Sequence, residues 1–188
     1  MPEAISTTPS GRAPELGLVA EARSSLARGP ERVAALVRDL PTAVWETNEG
    51  GDSWSPREVV GHLIVAERAL WIPRLRIVLE GKGSGRFEPF DRTAHLALFR
   101  DTPRDSLLAQ FAAARLESLA TLEALALDEE KLSRRAIHPE LGPVTAAQLL
   151  GTWVLHDWGH LAQITRTVAK SVSPAAGPWR RYFTVLER

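Results

Sequence analysis

The sequence predicts an all-α protein, a four-helix bundle with long connections and a short C-terminal helix. Three observations lead to this fold class: apolar residues recur at helical spacing along four long stretches, helix start signals precede several of them, and strand signals are sparse. The chain has 188 residues, which suits one domain with a sizeable core. Long helices joined by connections of unequal length pack most simply as a bundle.

The composition divides the chain into two parts. Residues 1–14 are rich in Ser, Thr, Pro and Gly and are expected to form a flexible segment, whereas residues 15–188 are expected to form a single bundle domain. The N-terminus lacks the apolar run of a secretory signal, and no apolar stretch is long enough to span a membrane. We therefore expect a cytoplasmic protein without a membrane partner.

Charge and cysteine content exclude several classes of function. The chain has 23 basic and 23 acidic residues, and this balance argues against a broad surface for nucleic acid or anionic lipid. It contains no cysteine, so disulfides, Cys-ligated metals and a Cys nucleophile are excluded. Any transition metal must therefore be bound by histidines and carboxylates.

The first helical region is predicted from about Glu15 to Leu40. The Gly29-Pro30 pair interrupts it, and proline suits the first turn of the helix that restarts there. A polar, glycine-rich loop, ETNEGGDSW, then leads to the second helix.

The second helix has a clear start signal. Ser55 is predicted to be its N-cap, and Glu58 completes a capping box in which side chains satisfy the exposed N–H groups of the first turn. The helix is expected to run to about Glu80. Pro73 should kink it, because proline lacks an N–H group and its ring clashes with the preceding turn.

The third and fourth helices are predicted to begin at threonines. Thr102, followed by Pro103, is the expected N-cap of the third helix, and Thr145 forms a capping box with Gln148 at the start of the fourth. The connections over residues 81–102 and over SRRAIHPELGPV are expected to be irregular. The tail, PWRRYFTVLER, is expected to form a short final helix or turn.

Two histidines lie four residues apart on the fourth helix. His156 and His160 should share one helix face, about 6 Å apart along the axis, and two such imidazoles can bind one divalent metal. For a pair alone, an exposed histidine beside a hydrogen-bonded core histidine is the more common arrangement. Asp157 follows His156, so the HExxH motif of metalloproteases and its general base are absent.

A histidine on the second helix is the best candidate for a third ligand. His62 lies among apolar residues that should bury it, and a buried histidine needs a partner. The alternative is a core histidine bonded to a carbonyl or a carboxylate. With the pair on the fourth helix it would form a three-histidine face that leaves positions for water or substrate. His95 and His138 lie in the connections and are expected to be solvated.

Other polar residues near this face have two explanations each. Gln163 follows His156 and His160 on their face, and could orient bound water or substrate or support a ligand; an ordinary interhelical hydrogen bond is equally common. Asp157 and Glu67 are expected to form ion pairs with Arg or Lys on neighbouring helices. Three tryptophans are expected in the core or in a pocket wall: Trp71, Trp153 and Trp158.

Two stretches resemble the DinB-like (YfiT-type) superfamily of small four-helix bundle metalloproteins. They are WSPREVVGHLIVAERALWIPR, from Trp54 to Arg74, and LLGTWVLHDWGHLAQITR, from Leu149 to Arg166. The order of helices and long connections also matches, so the resemblance covers most of the chain from about Glu15 to Lys170. It implies that one divalent metal is bound by a histidine of the second helix and an HxxxH pair of the fourth: His62, His156 and His160.

The resemblance also implies a range of chemistry. The metal of such proteins is usually zinc or nickel, sometimes manganese or iron, and the proteins are usually cytoplasmic and often dimeric. Some members transfer a low-molecular-weight thiol, such as bacillithiol or mycothiol, to electrophiles; others are thiol-dependent isomerases. The leading expectation is therefore a metal-dependent thiol S-transferase or hydrolase that acts on a small electrophilic molecule. The alternatives are a non-catalytic metal or small-ligand binding protein and a helical interaction protein with structural histidines.

Overall fold

Four long helical segments carry the hydrophobic core in the computed structural model, which describes residues 15–81 and 83–187. The predicted four-helix bundle is confirmed, whereas the predicted flexible segment of residues 1–14 lies outside the described residues. None of the helices within the described ranges combines the length and apolar character needed to cross a membrane.

The helices and strands follow one another in a simple order. They are α1 (Glu15–Ala27), α2 (Gly29–Val37), α3 (Thr42–Trp45), α4 (Pro56–Ala66), a π-helical turn (Glu67–Trp71), α5 (Ile72–Glu80), α6 (Ala94–Leu98), α7 (Arg104–Ala124), α8 (Glu129–Ser133), β1 (Arg135–His138), β2 (Gly142–Thr145) and α9 (Ala146–Val172). The long segments are α1 with α2, α4 with α5, α7, and α9.

Both predicted capping boxes are present. The Ser55 side chain accepts from the backbone N–H of Glu58, and the Ser55 backbone N–H donates to Glu58 Oε2 at 2.8 Å. At the start of α9, the Thr145 backbone N–H donates in the same way to Gln148 Oε1 at 2.9 Å. The helices that carry the candidate histidines therefore begin at the predicted residues.

The start of α7 differs from the prediction. The N-cap is Pro103 rather than Thr102, because Pro103 keeps an extended ψ of 148° and the first helical residue is Arg104. The face that α7 turns to the core includes Leu108, Phe111 and Leu122.

The disturbance predicted at Pro73 takes the form of a π-helical turn. Pro73 has no N–H group to pair with the carbonyl four residues earlier, and the π turn directly precedes the helix that contains it. The turn buries Glu67 and Trp71 together, and α5 then ends at Glu80 as predicted. A negatively charged residue and a large aromatic ring thus enter the core next to α9.

The two connections expected to be irregular contain regular structure. Residues 81–103 include the short helix α6, and residues 135–145 form an antiparallel hairpin in which Arg135 pairs with Thr145 and His138 with Gly142. Gly142 has a φ of +71°, which the hairpin turn requires and glycine adopts without strain. The tail forms 3₁₀ turns, Ser173–Tyr182 and Thr184–Leu186, in place of an α-helix.

One buried arginine connects all four helical segments. Arg115 of α7 donates to both carboxylate oxygens of Asp157 on α9, at 2.7 and 2.9 Å. It also donates to Glu67 Oε1 in the π turn at 2.7 Å and to the Leu26 carbonyl of α1 at 2.8 Å. The ion pairs expected for Asp157 and Glu67 are therefore confirmed, and one guanidinium forms both.

The surroundings of this guanidinium keep it charged and leave little space. Burial alone would lower the pKa of Arg115, but the hydrogen bond to Asp157 and the charge of Glu67 raise it above its ordinary value. Gly29 packs directly against the pair: a Cβ atom there would lie 2.7 Å from Asp157 Oδ2 and 2.8 Å from Arg115 Nη1. The helix break predicted at Gly29-Pro30 thus lets the backbone approach the ion pair.

We predict that Arg115→Met lowers the free energy of unfolding by about 3–5 kcal/mol, because two buried carboxylates lose their counter-charge. Urea unfolding at pH 7 measures this change. The matched control is Arg68→Met, since Arg68 is exposed and its side chain bonds only to Gln110 among the described residues; its effect should stay within about 0.5 kcal/mol. Equal effects of the two substitutions would contradict the proposed importance of the buried cluster.

Candidate metal centre

Three histidine side chains from two helices converge on one point. His156 Nε2 lies 3.1 Å from His62 Nε2 and 3.2 Å from His160 Nε2. Four-residue spacing on α9 brings His156 and His160 to one face, and the packing of α4 against α9 adds His62. The structure therefore brings together the three histidines that the sequence singled out, with possible ligand atoms all within 4.8 Å of one another.

The geometry of the three nitrogens fits a metal ion. Nitrogen ligands about 2.0–2.1 Å from one tetrahedral zinc ion lie roughly 3.3–3.4 Å from each other. The separations of His156 Nε2 from the other two Nε2 atoms, 3.1 and 3.2 Å, are close to that value. Imidazole nitrogen is a ligand that zinc and nickel both accept.

The environment keeps these imidazoles neutral, as metal ligation requires. Burial, with the nearby rings of His160 and His95, lowers the pKa of His62 to about 3. Burial and the neighbouring histidines lower the pKa of His156 to about 2, and burial also lowers the pKa of His160. At neutral pH a metal ion therefore has no protons to displace from these three rings.

Gln163 fixes the orientation of one of the three rings. His160 Nδ1 lies 3.1 Å from Gln163 Oε1, and the Gln163 amide donates to the Trp54 carbonyl at 3.4 Å. With its amide N–H groups directed at Trp54, Gln163 presents its oxygen to His160, whose Nδ1 then carries the proton. The Nε2 lone pair of His160 is thereby directed toward the other histidines.

Aromatic rings surround the three histidines. The ring centroid of Trp54 lies 4.5 Å from that of His62, and Phe90 packs edge-on to His62 at 6.0 Å. On the other side, Trp71 packs edge-on to His156 at 5.1 Å. His156 is half-buried, so the histidine cluster is sheltered yet retains contact with solvent.

The other two tryptophans of interest have different environments. Trp153 stacks on Trp71 at 5.7 Å and donates through its indole N–H to Glu67 Oε1 at 2.9 Å, as expected of a core residue. Trp158 was predicted to be in the core or a pocket wall, and this is wrong. It is 48% exposed on the outer face of α9, where the Arg32 guanidinium lies 4.6 Å above its ring.

A buried ion pair holds the loop that carries Trp54. Glu49, whose side chain is almost fully buried, accepts two hydrogen bonds from Arg166 of α9, each 3.1 Å long, and lies 3.4 Å from Lys170 Nζ. The hydrogen bond from Arg166 lowers the pKa of Glu49. The ion pair of Glu49 with Arg166 and the hydrogen bond from Gln163 to the Trp54 carbonyl together hold the loop against α9, beside the histidine cluster.

One histidine beside this cluster was not predicted from the sequence. His95 was expected to be solvated, yet it is only 2% exposed, and its ring centroid lies 5.3 Å from that of His62. His138 was expected to be solvated as well. It is half-buried in β1, where its Nδ1 accepts from the backbone N–H groups of Glu140 and Leu141.

The burial of His95 had one possible signal in the sequence, the glycine that packs against it. A Cβ atom on Gly61 would lie 3.2 Å from the Phe99 ring and 3.5 Å from His95 Cβ, so glycine lets α6 pack closely on α4 one residue before His62. In the sequence, a glycine inside an apolar helix next to a candidate ligand could have indicated such a close approach.

Comparison with known proteins supports the helical-bundle fold described above. The sequence model of the DinB superfamily matches residues 25–164, and no curated protein sequence matches the chain. Among solved structures, YfiT from Bacillus subtilis superposes with a TM-score of 0.73 at 20% identity, covering 89% of this chain and 93% of that one. That protein is described as a probable metal-dependent hydrolase with an unusual four-helix bundle topology.

A second solved structure has a more distant likeness. A mycothiol-dependent maleylpyruvate isomerase superposes with a TM-score of 0.59 at 14% identity, over 81% of this chain and 63% of that one. At sequence identities of 20% and 14%, the two structures support the fold of this chain and not its activity. The family match spans most of the chain, including all three converging histidines. On that ground, the chain belongs to the DinB superfamily.

Proposed function

We propose that this protein is a metal-dependent enzyme that activates a thiol or water for transfer to, or hydrolysis of, a small electrophilic molecule. The observation that carries the proposal is the convergence of three neutral imidazoles, those of His62, His156 and His160. His156 Nε2 lies 3.1 and 3.2 Å from the other two Nε2 atoms, and the possible ligand atoms all lie within 4.8 Å of one another. One divalent ion, zinc or nickel, is the proposed cofactor. When bound, it would lower the pKa of a thiol or water and polarise an electrophile.

The chain's own residues have distinct parts in this proposal. The three histidines would hold the ion, and Gln163 would keep His160 in the tautomer that directs Nε2 at it. Trp54 and Trp71 would exclude bulk water from two sides of the reacting molecule. Asp157 is excluded as a catalytic group because both of its oxygens are bonded to Arg115.

The solved structures support the class of reaction. One is described as a probable metal-dependent hydrolase and the other as a thiol-dependent isomerase, and hydrolysis and thiol chemistry share the need to activate an S–H or O–H group. A low-molecular-weight thiol is therefore the proposed cosubstrate. Dimerisation and a cytoplasmic location stay predictions.

We predict that the untagged protein binds about one equivalent of Zn²⁺ and that His62→Ala, His156→Ala and His160→Ala each weaken binding by more than about 100-fold. Loss of a supporting residue alone typically costs 10–100-fold, and these substitutions remove a ligand itself. Isothermal titration calorimetry measures the affinity. His138→Ala is the matched control and should bind Zn²⁺ like the wild type; unchanged binding in the three alanine variants would refute the metal site.

We predict that Gln163→Leu weakens Zn²⁺ binding by about 10–100-fold, because His160 loses the acceptor that fixes its ring. Gln163→Glu retains an oxygen at that position and should keep most of the affinity. Gln110→Leu, a change at a half-buried glutamine on α7, away from the histidines, serves as the control for lost amide groups. If Gln163→Leu bound Zn²⁺ as tightly as this control, Gln163 would make only an ordinary interhelical hydrogen bond.

We predict that the Zn²⁺- or Ni²⁺-loaded protein conjugates bacillithiol or mycothiol to a chlorobimane dye, or hydrolyses a small activated ester. Turnover should disappear on chelation and in His156→Ala, because both remove the ion, and should persist in His138→Ala. Fluorescence of the conjugate and release of the ester's alcohol measure the two reactions. A metal-loaded protein that accelerated neither reaction would favour the non-catalytic binding protein over the enzyme.

A further inference from the structure

His95 occupies a position that the proposed function does not use. It lies on α6, within the connection of residues 81–103. Its ring packs edge-on to those of Trp54 and His62, with centroid distances of 4.5 and 5.3 Å. With 2% of its surface exposed, it is as buried as the core leucines. The helix that carries it has only five residues, so α6 contributes little to the core beyond this side chain and the adjoining Phe99.

Both ring nitrogens of His95 lack a hydrogen-bond partner among the described residues. The Arg92 backbone lies near enough to raise the pKa of His95 against the larger effect of burial, but it is outside hydrogen-bond geometry. Even a bond to that backbone would use only one of the two nitrogens. Buried polar groups without partners are rare and destabilising, so such a group calls for an explanation.

The other histidine in a connection shows what a structural role would require. His138 accepts two backbone N–H groups of its own hairpin, at 3.2 and 3.3 Å, and is half-buried. His95 makes no comparable bond in the part of the chain that the structure describes. Hydrogen bonding to the local backbone therefore accounts for His138, but it does not account for His95.

His95 is also distinct from the three candidate ligands. The nitrogens of His62, His156 and His160 form a group within 4.8 Å of one another, and His95 contributes no atom to that group. It adjoins the cluster at His62 and shares the Trp54 ring with it. This places a hydrogen-bonding group beside the cluster rather than within it.

We propose that His95 binds the reacting small molecule, by a hydrogen bond to the S–H or O–H group that is activated at the histidine cluster. This inference rests on the proposed function. A neutral imidazole has one N–H donor and one bare nitrogen acceptor, so, according to its tautomer, the nitrogen that faces the molecule either accepts from the S–H or O–H group or donates to the sulfur or oxygen. The molecule would supply the partner that His95 lacks within the chain.

The test uses the full chain loaded with Co²⁺, whose visible absorption reports on binding at the cluster. Two probes distinguish the kinds of group: 2-mercaptoethanol presents sulfur, and acetohydroxamate presents oxygen. His95→Phe keeps an aromatic ring and removes both nitrogens. It should bind Co²⁺ within about twofold of the wild type and bind at least one probe about three- to tenfold more weakly, the factor for one hydrogen bond.

Three further variants separate binding from structure. His95→Gln retains a donor and an acceptor and should recover part of the lost probe affinity, whereas His138→Gln should leave it unchanged. Without metal or probe, His95→Leu, which is close to histidine in volume, should raise the urea midpoint of unfolding, because it removes an unpaired buried polar group without overpacking the site. A midpoint lowered in both His95→Leu and His95→Phe would mean that His95 has a partner inside the protein, and would overturn the proposal.

Other outcomes also overturn the proposal. Unchanged affinity of Co²⁺-loaded His95→Phe for both probes would exclude the hydrogen bond while leaving the metal site intact. A tenfold or greater loss of Co²⁺ affinity would make His95 a ligand or a support of His62. If the wild type took up no Co²⁺, the proposed function would fail together with this inference. In the wild-type protein, addition of a probe that binds should shift the ring-nitrogen NMR signals of His95 and leave those of His138 unchanged.

Discussion

The hydrogen bonds of one buried guanidinium determine how the four helical segments meet. Arg115 contacts α9 through Asp157, the π turn through Glu67 and α1 through the Leu26 carbonyl. Each of these partners is satisfied only while its helix stays in place, and an unpaired buried charge is strongly destabilising. Hydrophobic packing tolerates small sliding motions of helices, whereas a bidentate ion pair with fixed geometry specifies their register.

The candidate metal site requires the same relative position of the helices, because its histidines lie on two of them. Asp157 is adjacent to His156 in α9, and Glu67 lies five residues after His62 on the same helical segment, so the ion pairs locate both histidine-bearing helices. The positive charge of Arg115 also contributes to the low pKa of His156. The apolar core therefore contains two neighbouring polar groups, the Arg115 ion pairs that fix the helices and the neutral imidazoles beside them.

The sequence was informative where local rules decide the structure. The capping box at Thr145 and the shared helix face of His156 and His160 depend on neighbours within one helical turn, and both were predicted correctly. The partner shared by Asp157 and Glu67 was beyond prediction, because any of 23 basic residues could have filled that role and only tertiary packing selects Arg115. The burial of His95 was missed for a related reason: it depends on α6 folding back onto α4, and the one local signal, Gly61 beside His62, does not identify which segment packs there.

The placement of α6 has a consequence for how such a protein can diversify. The three converging histidines stand on long helices whose packing the whole bundle shares, whereas His95 enters on a five-residue helix inside a surface connection. Insertions and substitutions are far better tolerated in connections than in bundle helices. If His95 meets the substrate as proposed, selection could exchange that residue without altering the helices that carry His62, His156 and His160, and the same scaffold would acquire new chemistry through its connection.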